Sequence, residues 1–167
     1  MIHKDAHLYL IGTVINNELN LNLLDEFLTK GYVAIYWKGI GDASQYHEKI
    51  EIRKALRSVD KYKNESERTL INYARSIYQF VHDIRSGIDL VACADTKNRA
   101  LHIGIPGHYQ YLPHLENKFR SHQRPVNWFD DKKLHLDDLP DPLARLYRNR
   151  PPMAVWRVGR YADLGLE

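Results

Sequence analysis

One cysteine, Cys93, is the only thiol in the chain. A single sulfur forms no internal disulfide and no thiolate metal cluster, which points to a reducing compartment. No apolar run approaches the roughly 18 residues that a membrane helix needs. The opening Met1 to His7 also lacks the apolar stretch of a signal peptide. The expected setting is cytoplasmic, away from membranes. Several motifs are missing too: a Gly-x-x-x-x-Gly-Lys-Ser/Thr loop, a Gly-x-Ser-x-Gly elbow, a His-Glu-x-x-His pair and a Cys-x-x-Cys. Their absence removes the usual signatures of nucleotide phosphate binding, serine hydrolysis and zinc chemistry. Asp131-Lys132-Lys133 and Asp95-Thr96-Lys97 match only the last part of a restriction-nuclease motif and read as turns. His3 and His7 belong to an exposed terminus. No catalytic residue, metal or cofactor is expected, and the chain itself is not read as an enzyme.

What is present suits one domain with a real core: 167 residues, 44% hydrophobic, with a formal charge of +3. His7 to Gly12 reads as a buried first strand. Asn20 or Asn22 can cap a short helix ending at Gly31, and Tyr32 to Trp37 is rich in the β-branched and aromatic residues that favour strands. Tyr46 to Arg57 has helical patterning. Asn64-Glu65-Ser66-Glu67 has capping-box form, and Leu70, Ala74, Ile77, Val81 and Ile84 then repeat at helical spacing. Leu90–Ala94 and Ala100–Ile105 make a hairpin around the turn 95–99. Pro106-Gly107 calls for a bend or bulge before Tyr109 to Tyr111. Val126 to Phe129 is a further strand, Asp138 to Tyr147 a helix begun near Pro140, and Ala154 to Val158 a last strand. About six strands among three to four helices, with local hairpins, favour an α+β domain on a curled mixed sheet or partly closed barrel.

The stretch 31–44 runs a strand into a loop flanked by Gly39 and Gly41. A large ring at Trp37 beside Tyr36, Lys38, Asp42 and Ser44 suits a planar heterocycle. The same residues fit a plainer role, with Trp37 in the core and Asp42 or Ser44 capping the next helix. Basic residues recur in expected loops and turns: Lys97 and Arg99 in the hairpin turn, then Lys118, Arg120, His122 and Arg124. Five arginines lie between Leu143 and Tyr161 with no carboxylate among them, including Arg148 and Arg150. Such side chains hold nucleic-acid phosphates, while an exposed ring stacks a base. Arg75 and His82, seven apart on the predicted helix, match in spacing a pair used by small metal-independent ribonucleases.

Three motifs in order carry a family resemblance: Phe80 to Val91, Ile103 to Tyr111, and His122 to Trp128, together with Ile35-Tyr36-Trp37 and Gly41 to Ser44. The chain resembles the N-terminal reader domain of bacterial and archaeal restriction endonucleases of the Mrr and McrB kind, over about residues 8 to 158. That resemblance implies a PUA-like fold, related to EVE and YTH domains, whose aromatic pocket accepts a modified base. It implies a pocket of Tyr36, Trp37, Lys38, Asp42 and Ser44, with Phe119 as a facing wall. It also implies a DNA partner and a nuclease or motor domain, fused or acting in trans, so that the chain is either a stand-alone reader or the front of a longer restriction protein. The expected function is modified-DNA reading by base flipping. The alternatives are a modified-RNA reader and a small ribonuclease using Arg75 and His82.

Overall fold

The structure is a computed structural model and describes residues 1–16, 21–129, 134–148 and 154–166. In chain order its elements are β1 (His7–Ile11), β2 (Val14–Asn16), β3 (Leu21–Asn22), α1 (Leu24–Lys30), β4 (Tyr32–Ile35), α2 (Lys49–Arg57) and α3 (Glu67–Tyr78). Then follow β5 (Leu90–Asp95), β6 (Ala100–Pro106), β7 (Gln110–Tyr111), β8 (His122–Trp128), β9 (Leu134–His135), α4 (Asp141–Arg148) and β10 (Val155–Arg160). Ahead of α1 the Asn22 side chain accepts the Leu24 amide at 3.0 Å, while Asn20 lies outside the described residues. Ser66 sets the start of α3, its hydroxyl accepting from the Thr69 amide at 3.2 Å. Leu70, Ala74 and Ile77 then fall on the buried side. The helix does not run on uniformly to Ile84. Gln79–Asp83 forms a wider π-helical turn, closed by the Ile84 amide on the Gln79 carbonyl. Such a turn closes i to i+5 instead of i to i+4, so His82 does not follow the regular α-helical spacing counted from Arg75.

The main sheet runs β10-β1-β5-β6-β8-β4. Only the β1–β5 pairing in that path is parallel. The crossover between those two strands contains α1, β4, α2 and α3. The result is an α+β fold on a curled, mixed sheet. Strand β8 makes the curl, pairing with β6 through Val126–Trp128 and with β4 and β7 through its first four residues. At that corner the strands approach too closely for a side chain. A Cβ on Gly104 would meet Val126 Cγ1 at 2.5 Å and the Asn127 carbonyl at 2.8 Å.

Each sheet face carries its own core. One holds Phe27, Val33, Ile35, Trp37, Ile52, Leu56, Leu70, Ile77 and Phe80 under α1, α2 and α3. The other gathers Leu8, Leu90, Leu101, Ile103, Leu136 and Leu143, covered by α4 and the C-terminal turn. Several expected boundaries shift, two of them beside the Trp37 loop. The strand begun at Tyr32 ends at Ile35, because Trp37 enters a loop. The helix expected from Tyr46 begins at Lys49, because Glu51 turns back to accept the His47 and Glu48 amides at 2.7 and 3.0 Å. Among the described residues no helix is long and apolar enough to cross a membrane.

Candidate nucleic-acid interface

The loop from Tyr36 to Ser44 is built from within. Gly39 and Gly41, at φ of 92° and 70°, supply backbone turns that other residues rarely adopt. The Trp37 carbonyl faces His122 Nε2 at 2.7 Å, and His122 Nδ1 faces the Tyr109 hydroxyl at 2.6 Å. Tyr109 in turn accepts from the Ala43 amide at 3.2 Å. One arrangement of protons satisfies all three contacts: a neutral His122 donates from Nε2 to Trp37 and accepts at Nδ1 from Tyr109. Burial lowers the His122 pKa and raises that of Tyr109, which keeps both groups neutral. His122 is therefore a fully buried anchor of the loop and does not reach phosphate.

Asp42 and Ser44 are spent on each other. The Asp42 carboxylate accepts from the Ser44 amide at 3.0 Å and its hydroxyl at 2.7 Å, capping a short 3-10 turn, Ala43–Gln45. This is the plainer of the two roles their sequence allows. Trp37 also sits in the core at 1% exposure, so it is no open wall as the chain stands. Tyr36 stacks on it at 4.7 Å and 20°, and Tyr73 of α3 tilts against it at 5.4 Å. Tyr62 meets Tyr73 edge-on at 6.0 Å. The cluster is imperfectly satisfied: Trp37 Nε1 is buried with no hydrogen-bond partner. The Tyr62 hydroxyl, also buried, lies beside the Lys38 backbone without closing a hydrogen bond. Burial pushes the Tyr62 pKa up to about 12.

Phe119 comes to the edge of this cluster. It follows the 3-10 turn Pro113–Lys118 at φ of 59°, a backbone conformation that a bulky side chain seldom occupies. Glu116 of the same turn accepts the Gly39 amide at 2.6 Å, tying the two loops together. Lys38 and Lys61 each place an ammonium 5.7 Å from the Phe119 ring, and Lys61 lies equally near the ring of Tyr62. Beside Phe119, Lys118 and Arg120 line a groove of about 540 Å³ with Lys30, Tyr32 and Glu26. Arg120 is held by the Glu26 carboxylate at 2.7 to 3.1 Å. Those bonds hold the Glu26 pKa down to about 2.

The other described basic residues of the expected interface have separate places. Arg124, expected in a loop, stands on β8 at 3% exposure. Its guanidinium donates to the carbonyls of Phe80 at 2.6 Å, Gly107 at 2.7 Å and Val81 at 3.0 Å. With every branch engaged inside, it fastens the end of the α3 segment and cannot meet a phosphate. Lys97 and Arg99 lie at the hairpin tip, the far end of β6 from this loop, about 20 Å along the strand. Arg99 there pairs with Asp137. Arg148 closes α4 on the opposite sheet face, and Arg150, like Asp131 to Lys133, lies outside the described residues. His82 is bound at the Tyr46 carbonyl and packs on Tyr78. Among the described residues no group of His, Cys, Asp and Glu could hold a metal ion.

Residues 13–141, which span the loop, the aromatic cluster and both anchors, match the family described as a domain of unknown function, DUF8426. The chain belongs to that family. No curated protein matches it. The matched span of this DUF8426 chain includes several site residues that sequence patterns do not single out: Lys61, Tyr62, Tyr73 and Glu116. Tyr73 carries no local signal, because its partner lies 36 positions away. Arg124 does carry one. The alternation of Val126 and Trp128, extended backward along the strand, puts His122 and Arg124 on the same side as Val126.

Proposed function

We propose that the chain is a PUA-like nucleic-acid-binding module that reads a modified base, with DNA the partner favoured by its resemblance to restriction-system readers. The observation that carries this reading is the buried Trp37 indole N–H without an acceptor, set in an aromatic cluster beside the lysines of the Phe119 edge. An unmet buried donor costs about 1 to 3 kcal/mol, which a ligand offering an acceptor would return. Tyr36 and Tyr73 are only partly buried, and they are the rings that must swing aside. The flipped base then stacks on Trp37, and the indole N–H meets an acceptor on its edge. Extrusion costs a few kcal/mol, offset by that stacking and that bond. The reading assigns the chain no bond-breaking step; a nuclease or motor, fused or in trans, would supply it.

The test is binding to one duplex carrying, in turn, no modification, N6-methyladenine, 5-methylcytosine or 5-hydroxymethylcytosine. Trp37→Phe keeps a ring and removes the N–H. A preference for one modification that Trp37→Phe abolishes, with the fold intact, supports the reading. Full discrimination by a folded Trp37→Phe protein refutes it.

A further inference from the structure

Phe119 lies outside the aromatic cluster yet adjoins it, because Lys61 stands 5.7 Å from the rings of both Phe119 and Tyr62. The two sides of its turn divide the local cations. Lys38 and Lys61 sit against the ring, and Lys118 and Arg120, its sequence neighbours, line the groove with Lys30. Among the described residues Glu26 is the one carboxylate lining that groove, and it is already engaged by Arg120, Lys30 and the Tyr32 hydroxyl. The groove thus keeps a surplus of positive charge. The ring itself is only partly covered and is held in a strained backbone geometry that the rest of the turn enforces.

From this we infer that the Phe119 edge is a second nucleotide subsite. It takes the base and phosphate of the nucleotide next to the one read at Trp37, so the ligand is a strand unpaired over at least two successive residues. This rests on the reading of Trp37 given above. In the free protein Lys38 and Lys61 occupy the ring through cation–π contact, a weak attraction at an exposed site. An incoming base displaces them, and they move to the flanking phosphates. The groove of Lys30, Lys118 and Arg120 receives the next phosphate along. A duplex that extrudes one base keeps its neighbours paired and stacked, and so leaves Phe119 unused. A single strand engages both rings.

The experiment titrates the full chain with a fluorescent 12-nucleotide single strand, as DNA and as RNA, and with the same DNA annealed to its complement, at two salt concentrations. The single strand is expected to bind at least tenfold more tightly than the duplex. Phe119→Leu should lose about tenfold on the single strand alone, and Phe119→Tyr, which keeps a ring, should stay within about twofold. Lys118→Ala should reduce the dependence of log affinity on log salt by about 0.7. Thermal melting of each variant separates lost binding from lost fold. Equal or tighter duplex binding, or a folded Phe119→Leu that binds as the parent does, overturns the subsite. If modification preference still depends on Trp37 in that case, the reading of the first site survives. No binding of any strand at low salt overturns both. A difference between the DNA and RNA arms identifies which sugar the subsite accepts.

Discussion

Replacing Arg124 by methionine should destabilise the protein by about 3 to 5 kcal/mol while leaving the surface charge of the Phe119 edge untouched. The guanidinium is almost wholly buried and has no carboxylate partner among its hydrogen bonds, which go to Phe80, Val81 and Gly107 carbonyls. Two of those carbonyls belong to the π-helical turn at the end of α3, where the helix dipole is negative and the last carbonyls lack helical partners. A strand side chain thus caps a helix. Burial lowers the Arg124 pKa to about 10, which still leaves it charged at neutral pH. Hydrogen bonds from a charged donor contribute about 1.5 to 3 kcal/mol each. Three of them are not additive, and methionine recovers part of the packing against Phe80, which gives the range stated. With a urea slope of about 2 kcal/mol/M for a domain of this size, the midpoint should fall by roughly 1.5 to 2.5 M. Circular dichroism against urea measures it. A fall below about 0.5 M would show that solvent replaces the guanidinium at no cost and would refute its role as a cap. Arg124→Lys, with one ammonium for three carbonyls, should fall between parent and methionine.

Gly104→Ala should cost about 2 kcal/mol or more, since its Cβ would meet Val126 and the Asn127 backbone at under 3 Å; a thermal melt within 2 °C of the parent would count against the close corner. Glu26 has its pKa depressed to about 2, chiefly by the bonds from Arg120, so its contribution is full above about 4.5 and is lost as pH falls towards 2. Glu26→Gln should therefore remove a pH-dependent stabilisation of roughly 2 kcal/mol, allowing for its partial exposure, and flatten the stability curve over that window. For His122 the sign is reversed in origin but not in direction: burial lowers its folded pKa, so below about pH 6.5 the unfolded chain takes up a proton that the folded one resists. Stability should fall as pH drops through that region, and His122→Gln should weaken the dependence. Tyr109→Phe, which removes the hydroxyl from both His122 Nδ1 and the Ala43 amide, should cost about 1 to 2 kcal/mol and speed amide exchange at Ala43.

Local features are legible in the amino-acid sequence itself. Ser66 and the spacing of Leu70, Ala74 and Ile77 define α3; Gly31 ends α1; the Asp95 to Arg99 turn joins β5 to β6. Each depends on neighbours within a few positions, where propensity, capping and periodicity act directly. The Trp37 loop and its glycines are legible for the same reason, because aromatic and glycine content are properties of a short stretch. Which residues of that loop face inward is not. Asp42 and Ser44 close on each other, whereas the partners of Trp37 arrive from α3 and β8, and Phe119 arrives from a turn 82 positions on. The fate of each basic side chain is likewise decided in three dimensions. A charge in sequence looks the same whether water or a buried carbonyl solvates it, so Arg124, Arg120 and Lys118 read alike. Only the packed fold turns Arg124 of β8 under the helix end, sets Glu26 of α1 against Arg120 and leaves Lys118 in solvent.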